Sequence, residues 1–333
     1  MVDRFNALRT SPSGDGFSTD FVARSVSDLP PGDVLIRVSW SSLNYKDALS
    51  AMGRPGVTRQ YPHTPGIDAA GTVVEATDGL WQPGDPVIVT GYDLGMNTDG
   101  GYSEYIRVPA DWLVRLPDGL SLRDAMLLGT AGLTAALCIE SLLDTGLSTE
   151  QGEVLVTGAS GGVGAIAVAL LSQLGFSVTA VTGKADAADW LRGLGASSIV
   201  EREALLNGSE RPLLKPRWAG VVDTVGGEML VNALKSLNYG ASAACCGMAA
   251  SAQLNATVFP FILRGINLLG IDSVELPLDI KQQVWDILAS EWRLAKLPAL
   301  LAAEVPLVEL PGWFPRILAG EVRGRVLVRV AGE

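Results

Sequence analysis

Between Val34 and Val108 the chain alternates short runs of β-branched and apolar residues with segments rich in Gly, Pro and Asp. Short apolar runs bounded by such turn residues are typical of strands. These runs are Val34–Trp40, Gly71–Glu75, Pro86–Thr90 and Gly101–Val108. The pattern predicts an irregular, mostly antiparallel β-barrel in this part of the chain.

The pattern changes in the second part of the chain. Ala, Leu and Met recur at helical spacing over Ser121–Leu143, and from Glu153 onward short apolar strands alternate with helical segments. This alternation predicts a parallel sheet covered by helices, and therefore an α/β fold. The predicted strands are Val154–Thr157, Ser177–Val181, Gly220–Asp223, Ala241–Cys246, Leu268–Ile271 and Arg325–Val330, and the predicted helices are Val163–Leu174 and Leu278–Leu294.

Length, composition and charge limit the possible functions. The 333 residues exceed the roughly 250 to 300 at which single hydrophobic cores stop growing, so two domains are expected. Hydrophobic residues make up 48% and charged residues 18%, which excludes a disordered chain. The net charge of -11, without a basic stripe, argues against a nucleic-acid or anionic-membrane partner. The phosphates of any ligand must therefore be met locally.

The cysteines and the N-terminus bear on the cellular compartment. Three cysteines are an odd number, and Cys245 and Cys246 are adjacent in an apolar run, so no disulfide framework is implied. Met1–Thr10 contains no apolar signal region, and no uninterrupted apolar stretch reaches the ~18 residues of a membrane span. We therefore expect a cytoplasmic protein.

The strongest local motif is the glycine loop from Gly158 to Gly164, which follows a predicted strand and precedes a predicted helix. Ala159, Gly161 and Gly164 occupy the G-x-G-x-x-G positions, with Ala in place of the first Gly. Such glycines let the backbone approach a pyrophosphate and let the helix pack on the strand, while the helix N-terminus supplies free N–H donors. The motif predicts a dinucleotide site; a purely structural turn is the alternative.

The end of the second strand predicts which dinucleotide binds. NAD enzymes place an Asp or Glu there to bind the ribose 2′-hydroxyl. This chain has Thr182, Gly183 and Lys184 instead. A hydroxyl and a cation suit a 2′-phosphate, and the repelling carboxylate is missing, so NADPH is expected. The alternative is that Lys184 is only a solvated surface lysine.

Two other oxidoreductase chemistries are disfavoured. Zinc needs converging Cys, His or carboxylate ligands. The chain has one histidine, His63, and no C-x-x-C spacing. We expect His63 to be a loop residue with satisfied hydrogen bonds. No tyrosine is followed four residues later by lysine, which disfavours the short-chain reductase mechanism.

A dense polar cluster, Ser41–Asp47, directly follows a predicted strand. Asn44, Tyr45 and Asp47 offer amide, phenol and carboxylate groups in one short segment, and we predict a catalytic or cofactor role for them. The alternative is a helix cap, with Asn44 as the cap and Asp47 closing a capping box.

Six blocks follow one another along the chain: Ser41–Ala48, Pro65–Asp68, Gly129–Thr134, Gly158–Gly164, Asp223–Gly226 and Pro260–Arg264. Together they resemble the zinc-free, quinone-oxidoreductase-like branch of the medium-chain dehydrogenase/reductase superfamily. Within that branch the chain is most similar to the bacterial NADPH-dependent acryloyl-CoA reductases.

The resemblance implies a fold and a cofactor position. It implies a GroES-like catalytic domain from residues 1–125 and 274–333, and a Rossmann NADP-binding domain from residues 126–273, with the cofactor in the cleft between the domains. Zinc-dependent relatives carry a Cys near Asn44 and Gly-His-Glu in place of Gly66-Ile67-Asp68. Both ligand positions are therefore lost, and no metal is expected.

The resemblance also implies individual contacts. Tyr45 falls on the nicotinamide side, and Val258–Ile271 resembles the edge through which relatives form homodimers, so a homodimer is expected. The other expected cofactor contacts are Thr134, Ser160, Gly161, Gly162, Val163, Thr182, Gly183, Lys184, Arg202, Met248, Ser273 and Arg325.

The implied reaction is the NADPH-dependent reduction of the C=C bond of a short α,β-unsaturated acyl-CoA, acryloyl-CoA first. Negative charge on the thioester oxygen would need preorganised donors, and the candidates are the nicotinamide ribose hydroxyl, Tyr45 and Asn44. Arg54 and Arg59, in one Gly- and Pro-bearing loop, are candidates for the CoA phosphates. The alternatives are that these arginines are solvated, that the enzyme is a quinone reductase, or that the chain binds NADPH without catalysis.

Overall fold

The computed structural model of the chain describes residues 4–331 and divides into two compact units. One unit comprises the chain up to Thr130, Ser273–Ser290 and the segment from Leu301 onward; the other comprises Ala131–Asp272 and Glu291–Leu300. In chain order the strands are β1 (Arg4–Ser13), β2 (Gly16–Ser25), β3 (Val34–Ser42), β4 (Asp68–Ala76), β5 (Pro86–Thr90), β6 (Tyr105–Val108), β7 (Leu113–Arg115), β8 (Glu153–Val156), β9 (Val178–Thr182), β10 (Ser198–Glu201), β11 (Trp218–Asp223), β12 (Leu237–Cys245), β13 (Asn267–Gly270), β14 (Leu301–Pro306) and β15 (Arg325–Arg329).

The helices complete the two units. They are α1 (Tyr45–Ala51), α2 (Leu122–Asp144), α3 (Gly162–Gln173), α4 (Ala188–Leu194), α5 (Arg202–Leu205), α6 (Gly227–Lys235), α7 (Phe259–Arg264), α8 (Leu278–Ala289) and α9 (Phe314–Leu318). Helix α2 is interrupted at Gly129, whose φ of 54° and ψ of -156° are not helical. It is long and apolar enough to cross a membrane, but 78% of its most apolar window is buried, as in a core helix.

The first unit is built on a seven-stranded sheet in the order β14-β15-β3-β4-β5-β7, with β6 also paired to β3. All of its pairings are antiparallel except that of β14 with β15. Inward-facing Val, Ile and Leu residues of these strands form one apolar core. The predicted irregular, mostly antiparallel barrel is confirmed.

The second unit contains a six-stranded parallel sheet in the order β10-β9-β8-β11-β12-β13. The chain order therefore reverses between β8 and β11, which is the doubly wound topology. Ligands of such sheets bind at the carboxyl ends of the strands beside this reversal. The segment that leaves β8 at this edge is the glycine loop.

Several element boundaries differ from the sequence-based prediction. The strand predicted at Gly101–Val108 begins only at Tyr105, because Gly101 and Tyr102 donate their N–H groups to the loop oxygens of Gly66 and Pro65. The helix predicted to extend to Leu294 ends at Ala289. The sequence pattern does not indicate the β1–β2 hairpin, since β2 mixes polar and apolar residues without regular alternation and none of its residues is fully buried.

Candidate functional site

The glycine loop of the second unit folds back on the first turn of α3. Gly158 has a φ of 58°, in the left-handed region that favours glycine. A Cβ at Gly164 would collide with the carbonyl oxygen of Gly158 and lie 2.8 Å from Cα of Ala159. Only glycine at position 164 therefore lets the helix pack this closely on the loop.

The N-terminus of α3 fits an anionic group. Gly161 precedes the helix and supplies no side-chain cap. The N–H groups of Gly162 and Val163, in the first turn, have no intrahelical acceptor. Ser160 is 7% exposed and borders this turn. A phosphate placed here would receive backbone hydrogen bonds and the favourable helix dipole, so these residues fit a dinucleotide pyrophosphate.

A second polar group lies at the carboxyl end of β9. Oγ1 of Thr182 donates to Oγ of Ser160 at 3.1 Å and accepts the N–H of Lys184 at 3.1 Å. Nη2 of Arg202 lies 2.9 Å from the position that a Cβ on Gly183 would take. The structure thus brings two hydroxyl groups, the backbone N–H of Lys184 and a guanidinium group to one corner of the sheet, and hydroxyl and cationic donors suit a 2′-phosphate.

Two further expected cofactor residues lie elsewhere in the second unit. Thr134 is 5% exposed within α2, and Met248 is 68% exposed just after the carboxyl end of β12. Contact of either residue with a cofactor stays a prediction.

In the first unit, Asn44 and Tyr45 stand where β3 passes into α1. Asn44 has an extended backbone, with φ -118° and ψ 159°, and its N–H donates to Oδ2 of Asp47 at 2.8 Å. This contact is the Asp47 half of the capping box considered from the sequence. Tyr45 is 42% exposed, so its phenol is accessible to a ligand.

Asp47 is fully buried and accepts two further hydrogen bonds. Oδ1 accepts the N–H of Ile67 at 2.8 Å, and Oδ2 accepts the hydroxyl of Tyr102 at 2.8 Å. Burial, followed by the nearby charge of Asp68, raises the pKa of Asp47 to about 6, although the hydrogen bonds oppose this shift. This carboxylate ties the start of α1 to the loop before β4.

Sequence reasoning did not assign a role to the network around Asp68. This carboxylate, at the start of β4, is fully buried. Oγ of Ser42 and Oγ1 of Thr130 each donate to it at 2.5 Å, the N–H of Thr130 at 3.0 Å, and Nδ2 of Asn44 at 2.8 Å. In the sequence, Gly129 is the signal that points to this network, because this glycine interrupts an otherwise helical pattern beside Thr130.

Arg325 closes this network from β15. Its side chain is 3% exposed. Nη1 donates to Oδ1 of Asn44 at 3.0 Å, Nη2 to Oγ of Ser42 at 2.8 Å, and Nε to the carbonyl oxygen of Leu127 at 3.1 Å. Nη2 also lies 3.7 Å from Oδ2 of Asp68. The guanidinium is engaged inside its own unit, and its direct contact with a cofactor stays a prediction.

The remaining expected site residues of this unit lie apart from that network. Arg54 and Arg59 are exposed in the loop after α1, and Arg59 donates its N–H to Oδ1 of Asn97 at 3.2 Å. Ser273 is 8% exposed, and its carbonyl oxygen lies beside Gly91. The CoA contacts of Arg54 and Arg59 and the cofactor contact of Ser273 stay predictions.

The side chains that could ligate a metal ion include the one histidine of the chain, His63. Within residues 4–331, no three His, Cys, Asp or Glu side chains are grouped so that they could hold a metal ion. His63 is buried, and its Nε2 has no hydrogen-bond partner. The expectation that the hydrogen bonds of His63 are satisfied is therefore wrong for this atom.

Comparison with known proteins places this site in a family. Residues 30–118 match the alcohol dehydrogenase GroES-like domain, and residues 162–290 match the zinc-binding dehydrogenase family. The acrylyl-CoA reductase AcuI of Ruegeria pomeroyi is 47% identical over 328 residues, which cover 98% of this chain and 99% of AcuI. The chain belongs to the medium-chain dehydrogenase/reductase superfamily. The predicted combination of a GroES-like and a Rossmann domain is confirmed.

Two other proteins are similar to this chain over nearly its whole length. The putative quinone oxidoreductase YhfP of Bacillus subtilis is 47% identical over 99% of this chain and all of YhfP, and its structure with NAD bound has a TM-score of 0.95. The yhdH oxidoreductase of Salmonella enterica, solved in complex with NADP, is 43% identical, with a TM-score of 0.95 over 98% of this chain and all of that chain.

Proposed function

We propose that this protein reduces the C=C bond of a short α,β-unsaturated acyl-CoA with NADPH, converting acryloyl-CoA and a proton to propanoyl-CoA and NADP⁺. The observation that carries the proposal is the identity of 47% to an acrylyl-CoA reductase over nearly the full length of both chains. The donor groups of the two units support it, because the reaction needs an anion-binding loop for the cofactor and hydrogen-bond donors for a thioester oxygen.

The second unit supplies the cofactor site in this proposal. The first turn of α3, with Ser160, holds the pyrophosphate, and Thr182, Lys184 and Arg202 hold the 2′-phosphate. Two observations support this assignment: the hydroxyl of Thr182 is held by Ser160 and the backbone N–H of Lys184, and the guanidinium of Arg202 lies beside Gly183. Thr134 and Met248 are further proposed cofactor contacts in this unit, and Ser273 is one proposed in the first unit.

The first unit supplies the substrate-side groups. NADPH, when bound, provides the hydride that reduces the β-carbon. As that carbon is reduced, negative charge develops on the thioester oxygen, and the α-carbon then takes up a proton. Donors already aimed at this oxygen stabilise the charge without reorganisation. We assign this role to the Nδ2–H of Asn44 and the hydroxyl of Tyr45. Asp47 positions Asn44, since it accepts the N–H of Asn44 at 2.8 Å.

Arg54 and Arg59 are the proposed contacts for the CoA phosphates. Both are exposed, and the loop that carries them follows α1 directly. The net charge of the chain is -11, so the protein as a whole repels the CoA phosphates. Two cations in one loop attract these phosphates locally.

Quinone reduction is the second candidate function, and the similarity to the putative quinone oxidoreductase YhfP favours it. An aromatic acceptor would take hydride without needing Arg54 or Arg59. Oxidation of NADPH is therefore to be measured with acryloyl-CoA, crotonyl-CoA and a naphthoquinone. We expect acryloyl-CoA to give the highest kcat/KM; faster turnover of the naphthoquinone would favour quinone reduction, and no turnover of any acceptor would favour a binding protein.

The proposed assembly is a homodimer in the cytoplasm, without nucleic-acid or membrane partners. Strand β13 is an edge strand, and the neighbouring α7 region exposes Val258 (66%), Ile262 (69%) and Leu263 (56%). An unpaired edge beside exposed apolar side chains is a pairing surface for a second copy. Light scattering after gel filtration tests this: we expect the mass of a dimer, and Ile262→Glu is expected to shift it toward that of a monomer.

A further inference from the structure

The side-chain amide of Asn44 lies between two groups of opposite hydrogen-bonding character. Its Nδ2 donates to Oδ2 of Asp68 at 2.8 Å, and its Oδ1 accepts from Nη1 of Arg325 at 3.0 Å. An ionised carboxylate only accepts hydrogen bonds, and a guanidinium only donates them. Rotating the amide by half a turn would bring its N–H groups against the guanidinium and its oxygen against the carboxylate. The two partners therefore permit only one orientation.

The partners are themselves fixed by contacts that do not involve Asn44. Asp68 is held by the hydroxyl groups of Ser42 and Thr130, both at 2.5 Å. Arg325 is held by the carbonyl oxygen of Leu127 at 3.1 Å and by Ser42 at 2.8 Å. All four polar contacts lie in buried or half-buried surroundings, where an unsatisfied polar group is costly.

The backbone also leaves room for this arrangement only because position 129 is glycine. A Cβ there would collide with Oδ2 of Asp68 and lie 2.8 Å from Oγ of Ser42 and 2.9 Å from Nη2 of Arg325. Gly129 has a φ of 54°, which a residue with a side chain rarely adopts. The interruption of α2 thus provides the space in which the carboxylate and the guanidinium meet.

We propose that Asp68 and Arg325 are positioning residues that hold the Asn44 amide so that it presents an N–H donor, and not a carbonyl oxygen, to the substrate. Within residues 4–331, Nδ2 of Asn44 has Asp68 as its one acceptor, so its second hydrogen remains for a ligand. The site then selects acceptors whose oxygen gains negative charge, such as a thioester carbonyl. The inference rests on the proposed function for the identity of that oxygen, but not for the orientation of the amide.

A double-mutant cycle of Asn44→Ala and Asp68→Asn tests the positioning role. We expect each single variant to lower kcat for acryloyl-CoA by about 10²-fold, the loss typical of one oxyanion donor, with KM changing much less. In the Asn44→Ala background, Asp68→Asn is expected to lower kcat less than threefold further, because Asp68 acts through Asn44. The dissociation constant of propanoyl-CoA, measured by calorimetry, is expected to change less than threefold in every variant of the cycle.

The matched control is Asp99→Asn. Asp99 accepts from Arg9 at 2.8 Å and from Arg24 at 2.6 Å, so this variant also removes a paired, largely buried carboxylate. We expect it to lower Tm and leave kcat unchanged. If Asp68→Asn does not fold, Ser42→Ala replaces it in the cycle. Equal losses of kcat from Asp68→Asn in both backgrounds, or no loss, would overturn the positioning role.

A second measurement is independent of the substrate. In protein labelled with ¹⁵N-asparagine, the side-chain signals of Asn44 are those that disappear in Asn44→Ala. We expect the hydrogen bonded to Asp68 to exchange with solvent at least tenfold more slowly than those of the exposed Asn255, and Asp68→Asn but not Asp99→Asn to remove this protection. Unprotected Asn44 hydrogens would refute the proposed orientation, whereas protected hydrogens without acryloyl-CoA turnover would refute only the proposed substrate.

Discussion

At the scale of single residues, Asp47 and Asp68 are two buried carboxylates with different surroundings. Asp47 accepts hydrogen bonds from Asn44, Ile67 and Tyr102 and has no cation among these partners. Asp68 has the same kind of neutral donors but also lies 3.7 Å from Nη2 of Arg325. Burial and the charge of Asp68 raise the pKa of Asp47 to about 6. Asp47 therefore takes up a proton at a higher pH in the folded protein than in the unfolded chain.

This pKa predicts how stability depends on pH. A carboxyl group whose pKa is raised by folding stabilises the protein at low pH, and this contribution is lost as the pH rises through the folded value. The shift from 3.8 to about 6 corresponds to about 3 kcal/mol. The free energy of unfolding of the wild type, minus that of Asp47→Asn, should therefore fall between pH 4 and pH 7. A difference that grows with pH over this range would contradict the assignment.

Lys184 tests the preference for NADPH. Its backbone N–H donates to Oγ1 of Thr182 at 3.1 Å, which places the residue at the corner proposed for the 2′-phosphate, and its ammonium group is the proposed phosphate contact. Removing one charge-assisted contact in Lys184→Ala should weaken NADPH binding by about 1.5 to 3 kcal/mol, with little effect on NADH. Lys215→Ala, an exposed lysine outside the proposed site, is the control. Equal kcat/KM for NADH and NADPH in the wild-type protein would remove the basis of this prediction.

At the scale of helices and strands, local patterns predicted the elements that carry the cofactor loop but not the network beside it. The runs that became β5, β8 and β9 have clear apolar patterns, and β5 has the predicted bounds of Pro86–Thr90. The contact of Asn44 with Arg325 joins residues 281 positions apart, which no local pattern encodes. The β1–β2 hairpin could not be predicted for a related reason, since the pairing of its two strands defines it and a regular hydrophobic period does not.

The packing of α3 on its loop predicts the effect of Gly164→Ala. The added Cβ would meet backbone atoms of Gly158 and Ala159, which cannot move cheaply. We expect a loss of about 1 to 3 kcal/mol of stability, together with weaker NADPH binding. A Cβ on Gly193 in α4 would have no atom within 4 Å beyond its own helix and chain neighbours, so Gly193→Ala should instead stabilise by about 0.5 to 1 kcal/mol. Thermal unfolding that ranks the two variants in the opposite order would contradict this account.

At the scale of the whole molecule, the net charge of -11 makes the recognition of a polyanionic substrate depend on a few cations. Arg54 and Arg59 are exposed, so salt screens the attraction between their guanidinium groups and the CoA phosphates. At 0.1 M salt this attraction is largely lost beyond about 10 Å, and it reaches farther at lower salt. Replacing both by Ala should therefore raise KM for acryloyl-CoA most strongly at low salt and leave naphthoquinone kinetics nearly unchanged. Unaltered acryloyl-CoA kinetics would remove these arginines from the CoA site.

In the proposed reaction, hydride passes from NADPH to the β-carbon of an unsaturated thioester. The most direct test is to supply acryloyl-CoA with NADPH deuterated at C4, using each of the two stereoisomers in turn, and to analyse the thioester product by mass spectrometry and NMR. We predict propanoyl-CoA with one deuterium at its β-carbon from one of the two isomers. Product without deuterium at that carbon from either isomer, or no propanoyl-CoA at all, would contradict the account.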